Sequence, residues 1–466
     1  MPGLLTRLGR RALLHNRARV DRFKLASRAH VRARLVADEG VAQAVREHAA
    51  TQGIAEREAW ATVERYIHEI VPFFNVVAYY QVGYRVSGWL LNLFYKVSVD
   101  FAEPRARERL PRDAVIVYVM NHRSNADYVL VSYALAGQVA ISYAVGEWAR
   151  AFPLEHVFKA FGSYFIRRRY REPLYHTVLE RYVQLITREG VTQGIFVEGG
   201  LTRDGRLRAP KIGLLDYVLG IGRDPEYAAR LHVVPVAVNY DRVLEDRSLL
   251  RELEVKEGAR RPPRLVQFWE VGRYVGWNLA RLFTRQWKRY GRAAVVVGAP
   301  IPLAPWFAEN RDLFSLPKPD RLARVQSLCD GLLERVGALI PVTPVPLVCA
   351  AIQSFDADFI EKDRLLERID EMRGVLRALN AGVVRQDRTA EEVFDRGYRM
   401  LRMRRVIART GTGYLVLPRG RPLVSYYANS VAHLLGGFTQ AVRARDALPA
   451  LAGVPVYGFP GPAVNR

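Results

Sequence analysis

The run Ala114-Val115-Ile116-Val117-Tyr118-Val119-Met120 empties directly into Asn121-His122-Arg123-Ser124-Asn125-Ala126-Asp127-Tyr128. Seven apolar residues, most of them β-branched, read as a buried strand. A buried strand that delivers a histidine, with a carboxylate five residues on, has a clear chemical use. The imidazole can take a proton from a hydroxyl, and the carboxylate can fix its tautomer and stabilise the imidazolium that forms. Residues five apart do not share a face of a regular helix, so a turn must bring His122 and Asp127 together. Ser124 and Asn125 are of the types that make turns and cap helices.

Three further segments follow in order. Phe161-Gly162-Ser163-Tyr164-Phe165-Ile166 runs into Arg167-Arg168-Arg169. Gly194-Ile195-Phe196-Val197-Glu198 ends in Gly199-Gly200-Leu201-Thr202-Arg203. Val233-Val234-Pro235-Val236-Ala237-Val238-Asn239-Tyr240 is an apolar strand interrupted by a proline. With apolar runs at 139–145 and 292–297 and helical patterns such as Leu174 to Glu189, strands and helices alternate between about 106 and 310. That alternation predicts an α/β layered domain, a mixed or parallel sheet flanked by helices. Residues 1–105 read as a basic, mainly helical, membrane-associating region and 311–466 as a helical C-terminal region.

These four blocks, in this order and spacing, resemble the glycerolipid acyltransferase family, in its glycerol-3-phosphate and dihydroxyacetone-phosphate branch. His122, Arg123, Ser124, Asp127 and Tyr128 match the first block, and Phe165 to Arg168 the second. Phe196, Glu198, Gly199, Gly200, Thr202 and Arg203 match the third, and the strand around Pro235 the fourth. Ser425-Tyr426-Tyr427-Ala428-Asn429-Ser430-Val431-Ala432-His433-Leu434 resembles a C-terminal segment of the longer bacterial glycerol-3-phosphate enzymes, so the resemblance spans roughly 110 to 435. It implies acyl transfer from acyl-CoA or acyl-carrier protein to the sn-1 hydroxyl of glycerol 3-phosphate. His122 would be the general base and Asp127 its orienting carboxylate. Arg167, Arg168 and Arg203 would hold phosphate, Gly199 and Gly200 would let backbone N–H groups approach an anion, and Glu198 would bind an acceptor hydroxyl or position Arg203. No cofactor and no metal are implied. Dihydroxyacetone phosphate and 1-acylglycerol 3-phosphate remain alternative acceptors. One position departs from the pattern: Leu201 stands where the family carries an arginine associated with phosphate recognition.

Composition narrows the partners. A formal charge of +23 and 70 Lys plus Arg against 47 Asp plus Glu call for an anionic partner; nucleic acid, a phosphorylated substrate and an anionic membrane surface are the candidates. The arginines form no recognisable nucleic-acid module, so nucleic acid is not expected. Cys329 and Cys349 support neither a disulfide framework nor a zinc site and fit a reducing compartment. Between Arg7 and Arg34, arginines interleave with Leu8, Leu13, Leu14, Val20, Phe23 and Leu25, as in a basic amphipathic helix on anionic lipid. From Ile70 to Tyr95 only Arg85 is charged, but Pro72, Gly83 and Gly88 interrupt the stretch, which reads as a membrane-contacting or core-packing helix pair. A second uncharged stretch, Val336 to Phe355, contains Pro341, Pro344 and Pro346 and reads as a loop followed by a short apolar helix. The expected location is the cytoplasmic face of the cell membrane, peripheral or monotopic. No Gly-x-Ser-x-Gly elbow, phosphate-binding Gly-x4-Gly-Lys loop or dinucleotide glycine pattern competes with this reading.

Overall fold

The computed structural model describes residues 27–73, 83–135, 140–146, 154–167, 170–256 and 289–447. Its centre is a mixed sheet of eight strands: β1 (Lys96–Phe101), β2 (Val115–Met120), β3 (Ser142–Gly146), β4 (Tyr164–Ile166), β5 (Gln193–Phe196), β6 (Leu231–Tyr240), β7 (Arg292–Val297) and β8 (Ile301–Pro302). The spatial order is β1-β7-β6-β2-β5-β3-β4, with β8 beside β6. β2 through β6 are mutually parallel, and β7 pairs antiparallel with β6. All six residues of β2 and all ten of β6 are buried, as expected of parallel strands covered on both faces.

The alternation of β2 sorts the core into two layers. Val115, Val117 and Val119 join Ile195, Val233 and the helices Glu39–Gln52, Glu56–Ile70, Pro173–Arg188 and Lys318–Ala338. Ile116, Tyr118 and Met120 join Phe196, Val234, Val236 and the helix Asp127–Leu135 on the opposite face. Because the five strands are parallel, β2, β5 and β6 discharge their C-terminal loops at one sheet edge, where α/β folds assemble their sites.

The expected strands all form. β1 falls in the region read as helical; it alternates, lies at the sheet margin and is half exposed, so it carries little of the apolar signal of an inner strand. The C-terminal region is helical and adds a three-stranded antiparallel sheet of β9 (Phe359–Glu361), β10 (Ile407–Thr410) and β11 (Gly413–Val416), whose strands are too short to leave a period. Pro344 opens the helix Pro344–Ser354, which is buried almost throughout. The helix Glu56–Ile70 ends just before Pro72, and the helix Tyr84–Phe94 follows. Among the described residues no helix is long and apolar enough to cross a membrane. The basic segment before Ser27, residues 74–82 and Arg168 lie outside the described residues.

Candidate active site

Asn121 extends β2 past its last strand residue. Its side chain donates to the Val238 carbonyl at 3.0 Å and accepts from the Val238 N–H at 2.8 Å, fastening the exit of β2 to β6. His122 follows, 1% exposed, with its ring stacked on Phe196 at 4.1 Å between centroids and set edge-on to Tyr128 at 5.5 Å. The intervening turn lets Asp127, first residue of its helix, fold back. Asp127 Oδ2 lies 2.9 Å from His122 Nδ1 and also accepts the backbone N–H groups of Arg123 (2.7 Å) and Ser124 (3.0 Å). Oδ1 accepts the Tyr240 hydroxyl at 2.5 Å. An ionised carboxylate only accepts, so Nδ1 carries the imidazole hydrogen. Nε2, which makes no hydrogen bond to a described residue, is left with its lone pair.

The turn itself is held from outside. Glu245 accepts Ser124 Oγ at 2.7 Å and the Asn125 N–H at 3.2 Å; burial raises its pKa. Next to it, Asp246 takes a bidentate bond from buried Arg404 and a bond from the Tyr427 hydroxyl. Arg123 is buried too: Nη1 donates to the Gly205 carbonyl, and Nη2 to the Ser430 carbonyl at 3.0 Å. Gly205, at φ 87°, sits so close to the Tyr426 carbonyl that a Cβ there would lie 1.9 Å from it. Asn429 Nδ2 donates to the Asp204 carbonyl at 2.8 Å. The segment 425–434 singled out in the sequence is thus packed onto the turn and the loop after β5.

Glu198 has a different duty from the acceptor contact expected of it. Oε1 accepts the His122 N–H at 2.8 Å and Oε2 the Arg208 N–H at 2.9 Å, so both oxygens serve the backbone. Burial pushes its carboxyl up to about 7, against the pull of those two amides and of Arg123. The Thr202 N–H closes the same junction on the His122 carbonyl at 3.3 Å. Of the glycine pair, Gly199 adopts φ 65° and its N–H bonds the Phe196 carbonyl at 3.0 Å, so it is not available to an anion. Gly200 is buried, and its N–H has no partner among the described residues. A Cβ on Gly199 would meet Lys211 Cδ at 2.6 Å. The bare backbone therefore lets the Lys211 stem lie across the turn.

The arginines divide. Arg203, next to Thr202, is partly exposed and pairs with exposed Glu252 at 2.9 Å, an interaction of small worth in water. Arg167 is instead gripped by Glu69, Nε to Oε1 at 2.8 Å and Nη2 to Oε2 at 2.6 Å, among the rings of Tyr66, Tyr170 and Tyr175. The Glu69 bond raises its pKa further. β4 lies three strands from β2, roughly 14 Å at ordinary strand spacing. Arg167 therefore joins the N-terminal helices to the sheet, with its guanidinium engaged by Glu69 at the exit of β4. Leu201 packs against the apolar cluster on the His122 face.

Tyr240, Glu245, Arg123 and Lys211 were not foreseen as contributors. Tyr240 had a signal: it ends the fourth block's strand just as His122 follows the first, and β2 and β6 are parallel neighbours. Among the described residues, no group of three or more His, Cys, Asp or Glu side chains could hold a metal ion.

Comparison with known proteins agrees with this architecture. Residues 103–239 match a family model described as "Acyltransferase". Residues 277–436 match one described as "Glycerol-3-phosphate acyltransferase C-terminal region". A glycerol-3-phosphate acyltransferase of Aeromonas hydrophila subsp. hydrophila is 28% identical over 454 residues, covering 91% of this chain and 53% of that protein. The chain thus spans about half the length of this curated relative. A crystal structure of the 1-acyl-sn-glycerophosphate acyltransferase from Thermotoga maritima aligns at 18% identity over 51% of this chain and 78% of that one, with a TM-score of 0.26, too low to carry a fold argument.

Proposed function

Since this chain belongs to the glycerolipid acyltransferases, in their glycerol-3-phosphate branch, we propose that it moves a fatty acyl group from acyl-CoA or acyl-carrier protein to the sn-1 hydroxyl of glycerol 3-phosphate. The observation that carries this reading is the His122–Asp127 pair, with Nδ1 bound to the carboxylate and Nε2 unencumbered beside the basic loop 198–211. Nε2 removes the proton of the acceptor hydroxyl as its oxygen attacks the thioester carbonyl. Asp127 stabilises the imidazolium. The tetrahedral intermediate then collapses, the carbon–sulfur bond breaks, and the imidazolium returns its proton to the departing thiolate. No acyl-enzyme is required. A positioned base of this kind contributes about 10²–10⁴-fold. Arg203 and Lys211, both on the loop after β5, would hold the acceptor phosphate through charge-assisted hydrogen bonds.

The reading includes the cytoplasmic face of an anionic membrane as the working location. Its support is the basic N-terminal sequence together with the outer face of the helix Tyr84–Phe94, which exposes Val86 (46%), Trp89 (62%) and Leu90 (38%). The inner face of that helix meets the helix begun by Asp127, with Gly88 against the Tyr133 ring. A bilayer under Trp89 would therefore lie next to the catalytic helix. Binding to vesicles should rise with anionic lipid and weaken with salt.

The test is transfer from labelled acyl-CoA to glycerol 3-phosphate, dihydroxyacetone phosphate and 1-acylglycerol 3-phosphate in parallel, with the His122→Ala protein as control. Glycerol 3-phosphate should be acylated at position 1. A wild-type enzyme that ignores all three and acylates a phosphate-free alcohol would overturn the substrate assignment and make Leu201 the mark of a changed specificity.

A further inference from the structure

Arg292 opens β7 and is only 5% exposed. Yet Nε and Nη2 of its guanidinium meet no hydrogen-bond partner among the described residues. Arginine cannot escape burial by losing its proton, and a buried charge without a partner is strongly unfavourable. The carboxylate beside it, Asp241, is committed elsewhere: Oδ2 accepts the Arg292 backbone N–H at 2.7 Å and Oδ1 the Val345 N–H at 3.0 Å. Burial raises the pKa of Asp241, so its own negative charge is disfavoured. Buried Thr343, also beside Asp241, leaves its hydroxyl without a hydrogen bond of normal geometry.

The neighbours deepen the imbalance. β1 pairs in parallel with β7, and Lys96 is the register partner of Arg292. The two side chains leave the same face about 5 Å apart, an arrangement that repels unless an anion lies between them. From the C-terminal region, Arg385 and Arg396 add their repulsion to the burial that lowers the Arg292 pKa, while Asp241 and Asp387 oppose it. Asp387 is itself shared by Arg385 at 3.2 Å and Arg388 at 3.5 Å. Arg385 is held at φ 65°, a left-handed conformation that few residues other than glycine adopt.

We propose that Arg292 and Lys96, with Arg385, which follows Val384 where its N–H bonds the Val342 carbonyl, form a binding site for a phosphate group at the seam between the sheet and the C-terminal region. β7 runs antiparallel to β6, so its first residue lies at the same sheet edge as the exits of β2 and β6. It is two strands from β2, roughly 10 Å. Ala293 packs in the cluster with Tyr240, so Arg292 alternates onto the other face. A phosphate there is not the one attached to the hydroxyl being acylated. It belongs to another part of the ligand set, either the nucleotide arm of a thioester donor or a phospholipid headgroup, which share this chemistry.

Thermal unfolding of the full chain tests the site without relying on turnover, so a failure of the acyl-transfer reading leaves the result interpretable. Inorganic phosphate, coenzyme A and phosphatidate vesicles are titrated separately. At least one should raise Tm in the wild type, and coenzyme A against vesicles identifies the source. Arg292→Gln should weaken that binding roughly 10- to 100-fold, the span expected for a charged hydrogen bond. Without anion its Tm should equal or exceed that of wild type, because an unpaired buried charge has gone. Lys96→Gln, at an exposed position, keeps the test open should Arg292→Gln fold poorly; a loss of about 3- to 10-fold is expected of a single exposed cation. The KM for the acceptor should not move in either variant. If no probe raises the wild-type Tm, or if both variants bind every probe as wild type does, the site does not exist.

Discussion

The His122 turn and the cationic rim beside it are built on opposite terms. In the turn, Asp127 accepts four hydrogen bonds, Asn121, Ser124 and Asn125 are tied to β6 or Glu245, and the His122 backbone is clasped by Glu198 and Thr202. The Nε2 of His122 makes no hydrogen bond to a described residue and is left for chemistry. On the rim, Arg203 holds an exposed carboxylate that water already competes for, and Lys211 has no ion-pair partner among the described residues. Under the proposed function the difference separates two tasks. A base must not move while a proton is transferred, whereas a phosphate ligand must exchange partners as substrate enters and product leaves.

The most severe break in that comparison is His122→Ala, which should lower kcat at least 100-fold with the fold intact; Asp127→Ala should follow closely. Retention of more than about a tenth of wild-type kcat by His122→Ala would remove the base from the mechanism. On the rim, Arg203→Ala should raise KM for glycerol 3-phosphate roughly 10-fold or more while KM for acyl-CoA barely moves. Leu201→Arg should fold and lower the same KM. An Arg203→Ala enzyme with unchanged acceptor KM would shift the phosphate to Lys211.

Glu198 sharpens the boundary between the two regions, because its sequence block suggests the rim and its contacts belong to the turn. Glu198→Gln should reduce kcat by about 10-fold through the displaced His122 backbone and leave acceptor KM near wild type; the reverse split would return it to the acceptor. Its ionisation also gives a stability signature. In the unfolded chain a glutamate releases its proton near 4.3, whereas folded Glu198 holds it to about 7. Its contribution is complete below the unfolded value and is lost as pH rises through about 7. Urea midpoints measured from pH 4 to 8 should fall less steeply with pH in Glu198→Gln than in wild type. The smallest effect is expected at Arg167→Ala, which should destabilise the fold by about 1–3 kcal/mol through the lost Glu69 pair while leaving acceptor KM unchanged.

The inner strands were legible because burial on both faces writes an unbroken apolar run, and the His122–Asp127 pair because a turn chemistry stood between them. β1 was not, since a half-exposed margin strand such as Lys96–Phe101 reads like any polar segment. The pairing of Arg167 with Glu69 was hidden for a related reason. A basic residue at a strand exit carries no mark of the acid that waits for it, and Glu69 is 98 positions away. The same distance hid Arg123, whose partners Gly205 and Ser430 are visible only once the chain has folded.

The bond from Arg123 to the Ser430 carbonyl also has a consequence for the order of synthesis. The turn that sets the base is synthesised first, and the residue that steadies it emerges 307 positions later. A nascent chain would carry His122 and Asp127 long before it could hold them in register, and a product terminated ahead of Ser430 would fold its sheet around an unsteady base. Competence would thus wait until the segment through Ser430 has emerged and seated on the turn.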